Sequence, residues 1–147
     1  METVMVRGLN YRYHPGGPLV LKDISFQVAG GEMVAVTGLS GCGKSTLCFC
    51  ISGAARHNRD GVMSGDVLLN GKDTRELRAA ELALEVGMVF QDPETQLFSP
   101  TVEDEIAFAP ENLCLPTAQI RERVAHALDV LGIAALREAN PYKLSGG

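Results

Sequence analysis

The chain has 147 residues, of which 46% are hydrophobic, and a formal net charge of −5. This length suffices for one globular core, and the acidic balance argues against a protein that coats nucleic acid with a basic surface. No run of the sequence approaches the roughly 18 apolar residues of a transmembrane helix, and the first residues lack the features of a signal peptide. We therefore expect a cytoplasmic site of action, with a peripheral role at the membrane still open.

The N-terminal residues alternate between apolar and polar side chains, a pattern typical of antiparallel strands. His14–Pro18 contains two prolines and two glycines and predicts a turn between two such strands. The apolar positions of the two strands are Val4, Val6 and Leu9, followed by Leu19, Leu21, Ile24, Phe26 and Val28. The sequence therefore predicts a small antiparallel β layer at the start of the chain.

Residues 38–46 read GLSGCGKST and match the phosphate-binding pattern G-x-x-x-x-G-K-[ST]. Glu32–Thr37, rich in Val, is typical of a buried strand of a parallel sheet, and Lys44–Ile51 can continue as a helix. In that order the free N–H groups and the positive end of the helix dipole point at an anion. We predict a phosphate site here, and the alternative is a structural glycine turn. Its members are Gly38, Leu39, Ser40, Gly41, Cys42, Gly43, Lys44, Ser45 and Thr46.

Four further elements follow the phosphate loop before residue 91. The polar stretch 53–65 predicts an exposed loop, and Asp66–Leu69 predicts a strand that the Asn70-Gly71 pair closes. A short helix is expected over about 74–84. Val86–Phe90 is then a second candidate for a buried strand.

The remainder of the chain is predicted to be mostly helical. Thr101 can cap a helical turn in which Asp104 occupies the third position, and a second helix is expected over 118–131. One face of that second helix carries Ile120, Val124, Leu128 and Leu131, and Gly132 ends it. The pattern is α/β, and we expect one domain over residues 1–147 with a core portion of about 1–92 and a helical portion of about 93–147.

Four motifs stand in a fixed order along the chain: Tyr13, the phosphate loop, VFQ at 89–91 and LSGG at 144–147. This ordered set resembles the ATP-binding cassette (ABC) ATPases over the whole chain. Val89–Leu113, with the sequence VFQDPETQLFSPTVEDEIAFAPENL, resembles the Q-loop region of ATPases from energy-coupling factor (ECF) transporters, which import vitamins and transition-metal ions. The resemblance implies a P-loop NTPase fold of the ABC type, with an incomplete parallel sheet.

The resemblance also implies roles for individual residues. Lys44 would bind the β and γ phosphates of ATP, Ser45 would bind Mg²⁺, and either the hydroxyl or the N–H of Thr46 would bind near the α phosphate. Tyr13 would stack on the adenine, with Tyr11 as the neighbouring alternative.

The other two motifs would act at the reacting phosphate and at the site of a partner subunit. Gln91 would reach Mg²⁺ and the attacking water, so that Lys44 and Gln91 form the catalytic set; otherwise Gln91 only caps a buried strand. Ser145, Gly146 and Gly147 would contact ATP held by a second ABC ATPase subunit in a head-to-tail dimer.

The chain ends at Gly147, within the signature. The family's Asp-Glu strand and switch histidine come after this point, so we expect the N-terminal part of a longer ATPase that is inactive by itself.

The resemblance implies ATP and Mg²⁺ as cofactors and an integral membrane subunit as partner through the Q-loop region. It implies no nucleic acid partner, and it places the protein at the cytoplasmic face of the membrane. The alternatives are a soluble ABC ATPase of repair or translation and a small P-loop kinase.

Overall fold

The structure, a computed structural model, describes residues 2–145 apart from the side chains of Glu2, His57 and Pro93. It divides into two compact units, Met1–Met88 and Val89–Gly147, whereas the sequence places the boundary between core and helical portions near residue 92. None of the described helices is both long enough and apolar enough to cross a membrane.

The first unit contains an antiparallel sheet whose strand order is β2-β1-β3-β4. The strands are β1 (Glu2–Arg12), β2 (Leu21–Ala29), β3 (Val62–Leu69) and β4 (Lys72–Asp73). The predicted antiparallel layer is thus confirmed, and β3 begins earlier than expected. Asn70 and Gly71, with φ of 50° and 80°, form the two-residue turn between β3 and β4, because this tight hairpin requires positive φ at both central positions.

A bulge in β1 reverses which side chains face the core. Two residues of β1, Gly8 and Leu9, lie opposite the single Gly65 of β3. Gly65 has a φ of +87°, and a Cβ on it would lie 2.3 Å from the carbonyl oxygen of Gly8, so no side chain fits there. Because of the extra residue, the buried positions change from Val6 to Leu9 and Tyr11.

Helix α1 (Lys44–Ile51) packs in the core of this unit. The core comprises Val6, Leu9, Tyr11, Leu21, Leu47, Cys50, Ala55 and Val67. Burial raises the pKa of the Cys50 thiol to about 11, with a smaller opposing effect from the Arg56 charge. Cys50 therefore stays neutral and packs as a small apolar residue.

The stretch after α1 is more ordered than its polar sequence predicts. A 3₁₀ turn spans Ala54–His57, within which Ala55 is only 7% exposed. Arg56 donates a hydrogen bond of 2.8 Å from Nη2 to Oγ1 of Thr74, which is fully buried. The prediction of a wholly exposed loop over 53–65 is therefore wrong.

Helix α2 (Ala79–Glu85) begins later than the predicted residue 74. The backbone N–H of Thr74 donates to the carbonyl of Val67 at 2.9 Å, which holds Thr74 beside the sheet instead of in a helix. The backbone N–H of Arg78 donates to the Glu81 carboxylate at 2.8 Å, and this contact begins the helix.

The two predicted buried strands of a parallel sheet are not formed among the described residues. Glu32–Leu39 and Val86–Phe90 have no strand assignment. Met33 is 99% exposed and Val89 is 83% exposed. A strand has to exchange hydrogen bonds with a neighbour, and no described strand pairs with either segment.

The second unit is helical, as predicted. A 3₁₀ turn at Pro93–Gln96 precedes α3 (Val102–Asn112) and α4 (Thr117–Val130), and short 3₁₀ turns follow at Ala134–Leu136 and Pro141–Lys143. Thr101 caps α3, because its Oγ1 accepts the N–H of Asp104 at 3.1 Å, and the predicted cap is confirmed.

The core of the second unit lies between α3 and α4. Val102 and Ala107 of α3 pack with Val124 and Leu128 of α4. Leu131, the C-cap of α4, keeps helical dihedral angles, and its N–H bonds to the carbonyl of Ala127 at 3.1 Å. It is nevertheless 66% exposed, so the predicted apolar face is buried at Val124 and Leu128 but not at Leu131.

Candidate functional site

Gly43 joins the phosphate loop to α1. It is the N-cap of the helix and has a φ of +99° and a ψ of 8°, a left-handed conformation that favours glycine. A Cβ at this position would lie 3.2 Å from the carbonyl oxygen of Val20 and 3.1 Å from Leu21. The glycine therefore lets the loop turn sharply into the helix while it packs against the chain that enters β2.

The Lys44 side chain folds back across the loop. Its Nζ donates to the carbonyl oxygens of Gly38 at 2.9 Å and Leu39 at 2.8 Å. These acceptors are neutral, and no ion pair of the described residues involves Lys44. The ammonium charge is thus held at the loop without an acidic partner, which suits a phosphate.

The first turn of α1 adds hydrogen-bond donors to the same place. No acidic residue lies in this turn and no side chain caps it. The N–H of Leu47 is the first to bond within the helix, to the carbonyl of Gly43 at 2.9 Å. The N–H groups of Lys44, Ser45 and Thr46 therefore point out of the helix end, where the dipole is positive.

These groups fit a polyphosphate and its magnesium ion. The loop offers backbone N–H donors and one ammonium, which match phosphate oxygens. Ser45 is exposed and offers one hydroxyl oxygen, and one or two protein ligands are enough for Mg²⁺ that also binds phosphates and water. When bound, Mg²⁺ would neutralise phosphate charge.

An aromatic side chain lies next to the same helix. Tyr13 is 44% exposed, and its hydroxyl shares a hydrogen bond of 2.8 Å with Oγ1 of Thr46. Tyr11 is 1% exposed, and its ring meets the Tyr13 ring edge-on with the centroids 5.1 Å apart. Of the two tyrosines, only Tyr13 therefore has exposed ring surface on which a base could stack.

The hydrogen bond between Tyr13 and Thr46 limits which group of Thr46 can bind a phosphate. Its side chain is 5% exposed, and its hydroxyl is already engaged by Tyr13. The sequence left open whether the hydroxyl or the N–H would meet phosphate, and the geometry favours the N–H.

Gln91 belongs to the second unit and is exposed. It follows the segment Val86–Phe90, which has no strand assignment, and precedes the 3₁₀ turn Pro93–Gln96, where Oγ1 of Thr95 donates to the carbonyl of Asp92 at 2.8 Å. The Oε1 atom of Gln96 accepts the N–H of Phe90 at 3.3 Å and closes a compact turn around Gln91.

The signature motif lies at the end of the described chain. Ser145 is exposed, and Leu144 before it packs against the α3–α4 core. The predicted ligand contacts of Gly146 and Gly147 lie outside the described residues. The structure thus brings Tyr13 and the phosphate loop together in the first unit, with Gln91 and Ser145 in the second.

Two features of these units have no clear sequence signal. Asn58 donates from Nδ2 to the carbonyl oxygen of Tyr13 at 3.3 Å, a contact between residues far apart in the chain. Phe98 and Phe108 are exposed and form an edge-on pair with ring centroids 4.5 Å apart. Both phenylalanines lie in the predicted Q-loop region, but their pairing depends on where α3 begins.

Comparisons with known proteins identify a family and several relatives. Residues 21–147 match the family model described as ABC transporter. A Methanosarcina mazei protein whose name assigns it to the ABC transporter ATP-binding proteins is 45% identical over 144 residues, 98% of this chain and 24% of that protein. The energy-coupling factor transporter ATP-binding protein EcfA of Methanocaldococcus jannaschii is 40% identical over 149 residues, 100% of this chain and 51% of that protein.

A solved structure shows the same likeness. CbiO1 of Clostridium perfringens, part of the ABC transporter complex cbiONQ, superposes with a TM-score of 0.83 at 36% identity. The superposition covers 98% of this chain and 56% of CbiO1. The chain therefore spans between about a quarter and about half the length of the relatives it matches.

Proposed function

Because this chain belongs to the ABC transporter family of ATP-binding proteins, we propose that its phosphate loop binds ATP and that the complete protein hydrolyses ATP to drive solute import. The observation that carries this proposal is the hydrogen bond between Tyr13 and Thr46. It places an exposed aromatic ring beside the helix whose first turn would bind phosphate. A P-loop kinase, the rival enzyme, has no need of such an upstream aromatic.

Each residue of the site has a distinct task in this proposal. Lys44 binds the outer phosphates, Ser45 contributes an oxygen to Mg²⁺, and the N–H of Thr46 binds near the α phosphate. The Tyr13 ring stacks on the base, which holds the nucleotide without selecting one base strongly. Gln91 orients the water that attacks the γ phosphate, and the products are ADP and phosphate.

The signature residues act on a second subunit in this proposal. Ser145 and its following glycines contact the ATP held by another ABC ATPase, so that two subunits enclose two nucleotides. Small residues suit this contact, because they let a backbone N–H approach a phosphate closely. Closure of the dimer then does the mechanical work of transport.

The second unit offers a surface for a membrane partner. Phe98 is 57% exposed and Phe108 is 44% exposed. Glu105 holds Phe98 in place, because its Oε2 accepts the Phe98 N–H at 3.1 Å. The exposed acidic residue Glu94 precedes the pair in sequence, and exposed Asp104 lies between its two members. An integral membrane subunit with an apolar and basic cytoplasmic segment would complement this surface.

The relatives support our proposals for the solute class and for the location of the protein. The resemblance to ECF ATPases and the likeness to EcfA support a vitamin or a transition-metal ion as the imported solute. We place the protein at the cytoplasmic face of the membrane, as a peripheral subunit.

Replacement of Lys44 by alanine tests the nucleotide site. We expect Lys44→Ala to lower the affinity for ATP by about ten- to hundredfold, since a charged hydrogen bond contributes about 1.5–3 kcal/mol. Calorimetric titration of the complete gene product measures the affinity. The melting temperature should not change, because Lys44 contacts only loop carbonyls and a cysteine.

Lys22→Ala is the matched control. Lys22 is an exposed lysine of β2, so its loss removes the same charge without touching the loop. Equal ATP affinities for the Lys44 variant and the parent protein would overturn the assignment of the phosphate site.

A further inference from the structure

We propose that Asn58 is a positioning residue for Tyr13, and that through Tyr13 it favours nucleotides that carry a base over bare polyphosphate. The inference rests on the proposed function, because it assumes that Tyr13 stacks on the base. Asn58 itself belongs to the connection between α1 and β3, outside the phosphate loop and the Q-loop region.

The side chain of Asn58 makes three hydrogen bonds, two of them to the tyrosines. Its Nδ2 donates to the carbonyl oxygen of Tyr13 at 3.3 Å and to the hydroxyl of Tyr11 at 3.3 Å. Its Oδ1 accepts the backbone N–H of Asp60 at 3.3 Å. One amide thus ties the end of β1 to the connection that precedes β3.

Packing alone does not fix the Tyr13 ring. The ring borders a cavity of about 190 Å³, whose lining also includes Thr46, Phe49, Ala55 and Asn58. Tyr13 is 44% exposed as well, so much of its surface has no protein neighbour. Two hydrogen bonds therefore hold it, one from the hydroxyl to Thr46 and one from Asn58 to its backbone.

Asn58 is itself held in place without help from Tyr13. Its carbonyl accepts the backbone N–H of Gly61 at 3.0 Å, which closes a tight turn. Gly61 packs so closely on Tyr11 that a Cβ would lie 2.8 Å from the tyrosine hydroxyl. Tyr11 is buried in the sheet core, so the turn has a rigid support.

A rigid support of this kind acts by preorganisation. If Tyr13 already sits in its stacking position, less conformational freedom is lost when a base binds. A ligand that has phosphates but no base makes no contact with the ring, and it gains nothing from this effect. The affinities for ATP and for inorganic tripolyphosphate should therefore respond differently to a change at residue 58.

The experiment compares these two ligands in the complete gene product by calorimetric titration. We expect Asn58→Ala to lower the affinity for ATP by about three- to tenfold, the effect of about one lost hydrogen bond. The affinity for tripolyphosphate should stay within about twofold of the parent value, which is within the scatter of independent sites. Arg59→Ala, at the exposed neighbouring residue, is the matched control and should change neither affinity.

Asn58→Asp is the second variant, and it keeps the shape of the side chain if the alanine variant fails to fold. It removes the donor to the Tyr13 carbonyl and should reproduce the selective loss of ATP affinity. In the Tyr13→Ala background, a change at Asn58 should no longer affect ATP affinity, because the two residues act through one contact.

The outcomes separate this inference from the proposed function. Equal losses for ATP and tripolyphosphate, or an unchanged ATP affinity in both Asn58 variants, would overturn the role of Asn58 alone. Failure of the parent protein to bind either ligand, or binding that does not depend on Lys44, would overturn the proposed function and this inference with it.

Discussion

The two flanks of the phosphate loop have similarly apolar sequences but very different structures. Downstream, α1 buries Leu47 and Cys50, which are 8% and 0% exposed. Upstream, Glu32–Leu39 forms no strand, and Met33 is 99% exposed. The loop thus joins a packed helix to a predicted strand that pairs with no other strand among the described residues.

The difference shows what each kind of element needs. A helix satisfies its backbone hydrogen bonds within its own segment, so α1 requires only an apolar surface to pack on. A strand of a parallel sheet needs neighbours that are distant in sequence. Val86–Phe90 repeats the contrast, since this segment also forms no strand and leads directly to Gln91.

The largest effect concerns catalysis by residues 1–147 alone. We expect weak nucleotide binding and no multiple-turnover ATPase activity, because Glu32–Leu39 leads into the phosphate loop without pairing with a described strand that would fix the loop. Phosphate release should be measured on folded polypeptide with Mg-ATP, with Lys44→Ala as the control for contaminating ATPase. Sustained release that depends on Lys44 would contradict the comparison of the flanks.

Alanine substitutions on the two flanks test the contrast directly. Leu47→Ala should lower the free energy of unfolding of residues 1–147 by about 2–5 kcal/mol, because it creates a cavity in the core. Met33→Ala should lower it by less than about 0.5 kcal/mol, because the side chain is exposed.

Urea denaturation of the parent and both variants measures these differences. The same two variants in the complete gene product sharpen the comparison. If Glu32–Leu39 pairs and is buried there, Met33→Ala should lower the free energy of unfolding by more than it does in residues 1–147. Similar costs for both variants in residues 1–147 would show that the upstream flank is packed after all.

Gln91→Ala extends the comparison to Val86–Phe90, the second predicted strand that is not formed. In the complete transporter we expect ATP hydrolysis and transport to slow by about five- to tenfold, the effect of one lost hydrogen bond to the reacting water. ATP affinity should change much less. Single-turnover hydrolysis and equilibrium binding separate the two effects, and an equal loss in both would assign Gln91 to ground-state binding instead.

The smallest effect is expected at the cap of α3. Thr101→Ala should lower the free energy of unfolding by about 1 kcal/mol, because the Asp104 N–H loses its acceptor. Thr117→Ala is the matched control, since Thr117 begins α4 without forming a cap. Chemical denaturation followed by circular dichroism measures both, and equal stabilities for the two variants would argue against the cap.

Features that depend on local chemistry could be predicted from the sequence. The Asn70-Gly71 turn requires positive φ at both positions, and the Thr101 cap needs only an acceptor three residues before an N–H. The turn of the phosphate loop belongs to the same class, because Gly41 and Gly43 adopt positive φ and Lys44 bonds to the nearby carbonyls of Gly38 and Leu39. Short-range rules decide all of these elements.

Features that depend on tertiary contacts could not be predicted in the same way. The late start of α2 follows from the bond between Thr74 and Val67, which lies across the sheet edge. The choice between Tyr11 and Tyr13 follows from the bulge at Gly8, which turns Tyr11 to the core, and from the end of β1 at Arg12, which leaves Tyr13 outside the strand. The contact between Asn58 and Tyr13 joins residues that the sequence separates widely.

The close approach of Gly65 to Gly8 also limits where this protein can accept insertions and deletions. A strand that slides along its neighbour can absorb a lengthened connection by moving its whole sequence past the partner strand. Sliding β3 would bring a side chain to the point where a Cβ lies 2.3 Å from a carbonyl oxygen. Added or removed residues between α1 and β3 must therefore be taken up by the connection itself, while Tyr11 keeps its place in the sheet.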